Sequence, residues 1–445
     1  MVIGMQNKEI FKSILLGILV ITSIILTYKI WNFTPNHKTD QLEEDSVEEK
    51  AIGKRHDKQI ENVVAPFQLI DKQGERVMGM PYDSSINLAP LFNEHTIKKT
   101  KYYKAHPSLV IPELSDQNLV LDFTFEMPVS MYVSRVLGLE EGEFPKHFNM
   151  DRLIIDYTAN KNVTLYAVSK DKEKAMRIDT TLDSAKIKSL KAEFEDDMTP
   201  YSEILTGKKV QDQATYLYAT EKPKDLKTYR SVLKKISIDD LNSLLLGNTA
   251  IVHSSRRGYT TYNTTTGVAE YNHAVEMYKY KNLSESESKV TDMRTNIPAT
   301  FNFINSQGGY TDEFRLFNTD EQSGKLSYLM YAYNRPVFQK NGLSLIDITW
   351  GEKGIFGYRR GLLKMNVSVD NGAAETELPS AEEVSDKLSQ NPKIYPSKIS
   401  NMAVSYDMRV EHSDDIDSQK NAKLIPKWFV KYDGEWLEYD DGRLR

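Results

Sequence analysis

One uncharged run, Ser13 to Tyr28, constrains this chain more than any other stretch. It places ten Ile, Leu or Val residues in sixteen positions. At ~1.5 Å per residue those sixteen positions reach only about 24 Å, short of a hydrocarbon core of ~30 Å. Extended to residues 10–31, the segment reaches about 33 Å. Lys12 and Lys29 then fall near the two interfaces, where long cationic side chains extend to the headgroups. Tyr28 and Trp31 suit the aromatic belt. The expectation is a cytoplasmic tail over 1–9 and a transmembrane helix over 10–31, anchored by Lys12, Tyr28, Lys29 and Trp31. A cleaved signal peptide calls for a small-x-small site after a shorter apolar core. Here the run ends in Thr27-Tyr-Lys-Ile-Trp-Asn-Phe33, bulky throughout, which favours a retained anchor.

Within the span, Ser13 and Gly17 are four apart, as are Ser23 and Thr27. Small residues on one helical face let backbones approach closely in a bilayer, so these four are candidate packing positions. Ordinary tolerance of small residues in a membrane helix is the plainer reading of the same pattern. Basic residues flank both ends almost equally, so they set no orientation. The short tail and the absence of cysteine favour tail inside and body outside. Without cysteine there is no disulfide scaffold and no thiolate metal site.

The remainder of the 445 residues is too long for one ordinary domain. A net charge of −6 gives no sign of a nucleic-acid partner. Residues 32–60 hold the acidic stretch Asp40 to Glu49 and few aliphatics, as expected of a solvated extracellular linker, with order beginning near Val63. Beyond it, an N-terminal domain is expected over 61–249, a middle α+β domain over 250–372 and a C-terminal α+β domain over 373–445.

Leu119 to Met127 alternates like a half-buried strand that Pro128 stops. Leu153–Tyr157 and Val163–Val168 read as a hairpin. Ile187, Leu190, Phe194 and Met198 follow helical spacing, and Ser237 opens a helix that Gly247 ends. A short helix is read at Ile297–Ile304, and strands follow around Phe314–Phe317, Leu326–Tyr333 and Leu343–Trp350. Ser380 and Glu383 form a capping box ahead of Val384 and Leu388. Strands over Met402–Val410 and Ile425–Tyr432, then the turn Asp433-Gly434, complete the pattern. Strands mixed with isolated helices indicate an α+β fold of mixed antiparallel sheets.

Motifs that carry chemistry are few. Ser231-Val-Leu-Lys234 and Ser286-Glu-Ser-Lys289 match the Ser-x-x-Lys pattern of penicillin-interacting enzymes, but no Lys-Thr-Gly follows, and Ser85-Ile-Asn87 precedes both. Asp414, Asp415 and Asp417 lack the spacing of a calcium loop and read as solvated. His253 reads as structural. Arg256-Arg257 and Arg359-Arg360 read as solvated hairpin ends, while Trp350, Trp428 and Trp436 read as core. No catalytic, cofactor-binding or metal-ligating residue is assigned, and no cofactor is expected.

Several segments resemble one family when taken together and in order. They are Leu119-Val-Leu-Asp-Phe-Thr-Phe-Glu-Met-Pro128, Leu226-Lys-Thr-Tyr-Arg230, Thr260-Thr-Tyr-Asn-Thr-Thr-Thr-Gly-Val-Ala269, Glu313-Phe-Arg-Leu-Phe317 and Thr349-Trp-Gly-Glu-Lys-Gly354. Tyr358-Arg-Arg360, Leu424-Ile-Pro-Lys-Trp428 and Tyr432-Asp-Gly-Glu-Trp436 continue the series. The chain resembles the YycH family over essentially its whole length. The resemblance implies a single-pass membrane protein of Gram-positive bacteria whose extracellular body has three domains, the last two sharing the fold of a companion, YycI. It further implies regulation of the WalK sensor kinase of the WalK/WalR two-component system, partly through transmembrane helices, and through it of cell-wall metabolism. No catalytic residues come with it. The expected function is a non-enzymatic accessory regulator whose partners are YycI, WalK and the bilayer. A module sensing a peptide or wall fragment is the alternative, and a wall enzyme using Ser231 or Ser286 is a more distant one.

Overall fold

The apolar alternation from Leu119 to Met127 becomes the spine of the first sheet. In a computed structural model the described residues are 51–445, without 105–116, 141, 146, 159, 170–173, 207–215, 248–251, 288–290, 371–375 and 412–419, together with Leu16 and Leu19. Residues 50–445 form one unit and 1–49 another. Among the described residues no helix is long and apolar enough to cross a membrane. Of the expected span over 10–31 only Leu16 and Leu19 are among them; Lys12, Ser13, Gly17, Ser23, Thr27, Tyr28, Lys29 and Trp31 lie outside, as do Asp414, Asp415 and Asp417.

The first sheet is antiparallel throughout. Its order is Ile97–Tyr103, Ala175–Asp183, Asn162–Val168, Asn149–Asp156, Gln117–Pro128, Gln68–Gln73, Arg76–Met80, Thr199–Leu205 and Tyr216–Thr220. Strand Gln117–Pro128 is buried on both faces rather than one. Leu119, Leu121, Phe123 and Phe125 join the main core, while Val120 packs with Ile70, Val77 and Ile154 in a second apolar layer. Asp122 tolerates burial because Arg152 grips it with Nε at 2.6 Å and Nη2 at 3.1 Å. Burial disfavours the Arg152 charge, and Asp122 more than offsets this, holding the guanidinium above its ordinary range.

The second sheet has fifteen strands running from Val252–Arg256 at one edge to Leu363–Asp370 at the other. Two antiparallel blocks meet where Arg335–Phe338 pairs in parallel with Ile399–Val410, through Val337 opposite Tyr406 and Phe338 opposite Asp407. The hairpins expected at Thr260–Tyr271 and at Asp433-Gly434 are present, the latter with both residues at positive φ. Strand Gln117–Pro128 also joins the two sheets. Past Asp122 its ladder is interrupted, and groups of the second sheet take over. Thr124 donates its hydroxyl to the Phe317 carbonyl at 2.6 Å, Thr319 donates to Glu126 at 2.6 Å, and the Lys431 ammonium donates to Thr124 at 2.5 Å. Each partner fills a backbone group that sheet pairing leaves open.

The helices depart from their expected bounds for local reasons. Ser184–Glu193 stops before Phe194 and Met198, because Glu193, Glu195, Asp196 and Asp197 crowd the negative end of its dipole. Met293–Ser306 starts four residues before the expected Ile297. Asp292 caps it by accepting from Arg294 N–H at 3.0 Å, and Pro298 is carried inside. Ile238–Leu246 is capped by Ser237 and buries Leu241 and Leu246. Ala381–Gln390 has the capping box of Ser380 and Glu383 and buries Val384 and Leu388 against Ile204, Leu217 and Trp428.

Residues 51–59, expected in the solvated linker, are docked. Ile52 is buried, and Asn305 exchanges side-chain hydrogen bonds with the Lys58 backbone at 3.1 and 2.8 Å. Gly53 lies against Gly308 so closely that a Cβ on Gly53 would sit 2.6 Å from the Gly308 carbonyl oxygen.

Candidate functional site

A cleft of about 540 Å³ opens between the edge strands of the first sheet and a hairpin of the second. Its size falls within the ~300–1,000 Å³ of small-ligand sites. Strand alternation sets its floor. Glu313 and Arg315 are two apart in Glu313–Asp320 and so share a face. The Arg315 guanidinium is sandwiched between the rings of Tyr82 and Tyr331, its central carbon 3.2 and 4.0 Å from their centroids. Its Nε donates to Glu313 Oε1 at 2.9 Å, and Nη2 donates to the same oxygen. Burial pushes the Tyr82 phenol up to about 12, with the Arg315 charge pulling the other way. The same burial raises Tyr331, again opposed by Arg315.

The walls are aromatic and proline-rich. Tyr82 opens the helix Tyr82–Phe92, whose N-cap, Pro81, provides no side-chain cap. Gly79 and Tyr201 face each other, and a Cβ on Gly79 would fall 2.1 Å from the Tyr201 ring, so only glycine lets that ring lie there. On the far side Tyr333 and Asn334 both take positive φ, 50° and 59°, in the two-residue turn leading into Arg335. Such a conformation is uncommon for tyrosine. Stacking of its ring on Tyr229, with centroids 3.7 Å apart, holds it. The rim mixes charges, with Lys222, Lys224 and Arg335 set among Asp197, Glu221 and Asp225.

Sequence reasoning missed this cleft. Its residues come from six separated segments, and no motif joins them. The one available signal was Glu313-Phe-Arg315, an alternating charged pair beside the apolar Phe314, Leu316 and Phe317.

The residues singled out for chemistry lie elsewhere. Ser231 is in a strand, Tyr229–Lys235, not on the helix that a Ser-x-x-Lys catalytic pair needs. At a spacing of three along a strand, Ser231 and Lys234 face opposite sides. Ser231 is fully buried and bonds Ser368 Oγ at 2.6 Å, whereas Lys234 is exposed. Ser286 is exposed in a loop. Among the described residues no cluster of His, Asp or Glu is placed to hold a metal. His253 is solvent-facing on the edge strand Val252–Arg256. Trp428 is core, with its indole N–H donating to the Pro379 carbonyl at 2.9 Å, and Trp436 packs among Phe67, Phe317 and Phe338.

Arg256 and Arg257 are exposed as expected, but Arg360 is not a solvated hairpin end. It is buried in strand Ile355–Gly361 with every guanidinium nitrogen engaged. Nε donates to the Gly361 carbonyl at 3.2 Å and Nη1 to that of Gly309 at 2.9 Å. Nη2 donates to the Thr311 hydroxyl at 3.0 Å. Arg359 reaches Asp347 at 3.4 Å.

The described site is thus an open cleft in a sheet-rich α+β body. The family model for the YycH protein N-terminal domain matches residues 9–199, and that for the YycH protein C-terminal domain matches residues 214–442. The chain belongs to the YycH family. It is 22% identical to the two-component system WalR/WalK regulatory protein YycH of Bacillus subtilis (strain 168), over 99% of this chain and 98% of that protein. The crystal structure of YycH from Bacillus subtilis has the same fold, with a TM-score of 0.66 at 16% identity, covering 87% of this chain and 98% of that one.

Proposed function

We propose that this chain is a non-enzymatic accessory regulator of a WalK-type sensor kinase, tethered by one membrane helix and acting with a YycI-like companion. The observation that carries the reading is end-to-end similarity, across both family domains, to a protein named as a WalR/WalK regulator. The burial of Ser231 and its separation from Lys234 favour a body that docks over one that turns over substrate.

In this reading residues 10–31 span the bilayer with the tail inside. Lys12, Tyr28, Lys29 and Trp31 sit at the interfaces, and Ser13, Gly17, Ser23 and Thr27 face neighbouring spans. The body is extracellular, with domains over 61–249, 250–372 and 373–445, the last two resembling the companion's fold. Regulation requires that the chain bind two kinase states with different affinity. Any effect on cell-wall metabolism then follows from kinase output.

The test is co-purification of the kinase from membranes, comparing the intact chain with one carrying Ser13→Leu and Gly17→Leu. The double variant is expected to lose most of the kinase recovered with the intact chain, since close helix approach depends on small residues. Equal recovery from both would sink the packing assignment.

A further inference from the structure

The cleft floor has a chemistry that the regulatory reading does not use. Arg315 is 3% exposed, yet it lines an open cavity. A buried guanidinium is costly unless its fork is filled. Here the fork is half filled. Nε and Nη2 both converge on one oxygen, Glu313 Oε1, and Nη1 has no hydrogen-bond partner among the described residues. Glu313 itself is 38% exposed, so its hold on Arg315 is partly screened by solvent. The two tyrosines clamp the guanidinium plane, which fixes its direction before any ligand arrives. The uncapped start of the helix Tyr82–Phe92 adjoins the same cleft and adds partial positive charge.

A clamped planar fork matches a planar carboxylate in two parallel hydrogen bonds. A phosphate dianion gains less from the site, because Asp197, Glu221 and Asp225 on the rim offset Lys222, Lys224 and Arg335 and leave no net positive charge there for its second charge. Phe67, Met80, Pro81 and Tyr201 offer apolar wall to a side chain next to the carboxylate. We propose that this cleft binds the free C-terminal carboxylate of a short peptide with an apolar last residue, seated on Arg315. The proposal goes beyond the regulatory reading and holds or fails without it.

Calorimetry on the purified full chain in detergent micelles tests it, with acetyl-Ala-Phe as free acid and as amide. The acid is expected to bind with a dissociation constant of about 1 mM or tighter and the amide at least about tenfold more weakly. Arg315→Lys keeps the charge and loses the fork, so the acid should weaken about tenfold while the amide is unchanged. Glu313→Gln removes the internal competitor at a half-exposed position. It should tighten the acid several-fold, and it carries the test if the lysine variant fails to fold. Equal affinity for acid and amide, no heat from either up to about 10 mM, or an acid affinity unchanged in Glu313→Gln overturns the proposal. Inorganic phosphate that displaces the peptide at equal concentration overturns it as well.

Discussion

Arg360 and Arg315 are both buried in the second sheet, at 1% and 3% exposure, and they are held in opposite ways. Arg360 spends each nitrogen on a fixed acceptor, namely the carbonyls of Gly309 and Gly361 and the hydroxyl of Thr311. Thr311 in turn donates to Asp312 at 2.9 Å, so the cation is tied to a half-buried carboxyl through one hydroxyl. Arg315 has one carboxylate oxygen, two aromatic faces and, beside a cleft, an Nη1 with no hydrogen-bond partner among the described residues. A saturated fork belongs to the fold, whereas a clamped and unsaturated one is poised to accept something else. Burial alone does not separate the two roles; the count of satisfied donors does.

The contrast breaks most readily at Arg360. Arg360→Met leaves the Gly309 and Gly361 carbonyls without the donors that fill them, and it is expected to cost about 3–5 kcal/mol in chemical denaturation. Next comes Asp122→Asn, which leaves Arg152 buried beside a neutral amide, at roughly 3 kcal/mol. Arg315→Lys should cost least of the three, about 1 kcal/mol, because a lysine keeps part of the stacking and the Glu313 contact. A loss at Arg315 as large as that at Arg360 would mean that it too is purely structural.

A smaller effect sharpens the account of Asp312. Burial raises its carboxyl above the ordinary 3.8, against the Met365 N–H and the Thr311 hydroxyl. A carboxyl raised in the folded state takes up protons on folding, so its contribution falls as pH rises past the unfolded value. Asp312→Asn keeps an oxygen for the Met365 N–H, which Asp312 Oδ1 accepts at 2.9 Å. The variant should therefore melt higher than the parent at pH 7, and the gain should vanish below about pH 4. A gain that persists in acid would assign it to something other than this carboxyl.

Local signals carried much of the fold. The alternation at Leu119–Met127, the Ser380 capping box and the Asp433-Gly434 turn are written in neighbouring residues, and the corresponding elements formed. What failed was non-local. The strand Gln117–Pro128 looked half-buried because its second face is covered by residues far along the chain, with Lys431 and Phe317 supplying partners from the other sheet. Arg360 looks solvated in sequence because it belongs to a basic pair beside a turn, and only the tertiary approach of Gly309 and Thr311 shows otherwise. The docking of residues 51–59 on Asn305 was hidden by their polar composition. The cleft was invisible for the same reason, since Tyr82, Arg315 and Tyr333 share no sequence neighbourhood.

Regulation by contact is the central claim, and kinase phosphorylation in reconstituted proteoliposomes tests it most directly. Vesicles would hold the sensor kinase and the companion protein, with or without the full chain. Adding the chain is expected to shift autophosphorylation at least about fivefold in one direction, the scale of an ordinary coupling free energy. Phosphorylation that stays the same at every ratio of chain to kinase would contradict it.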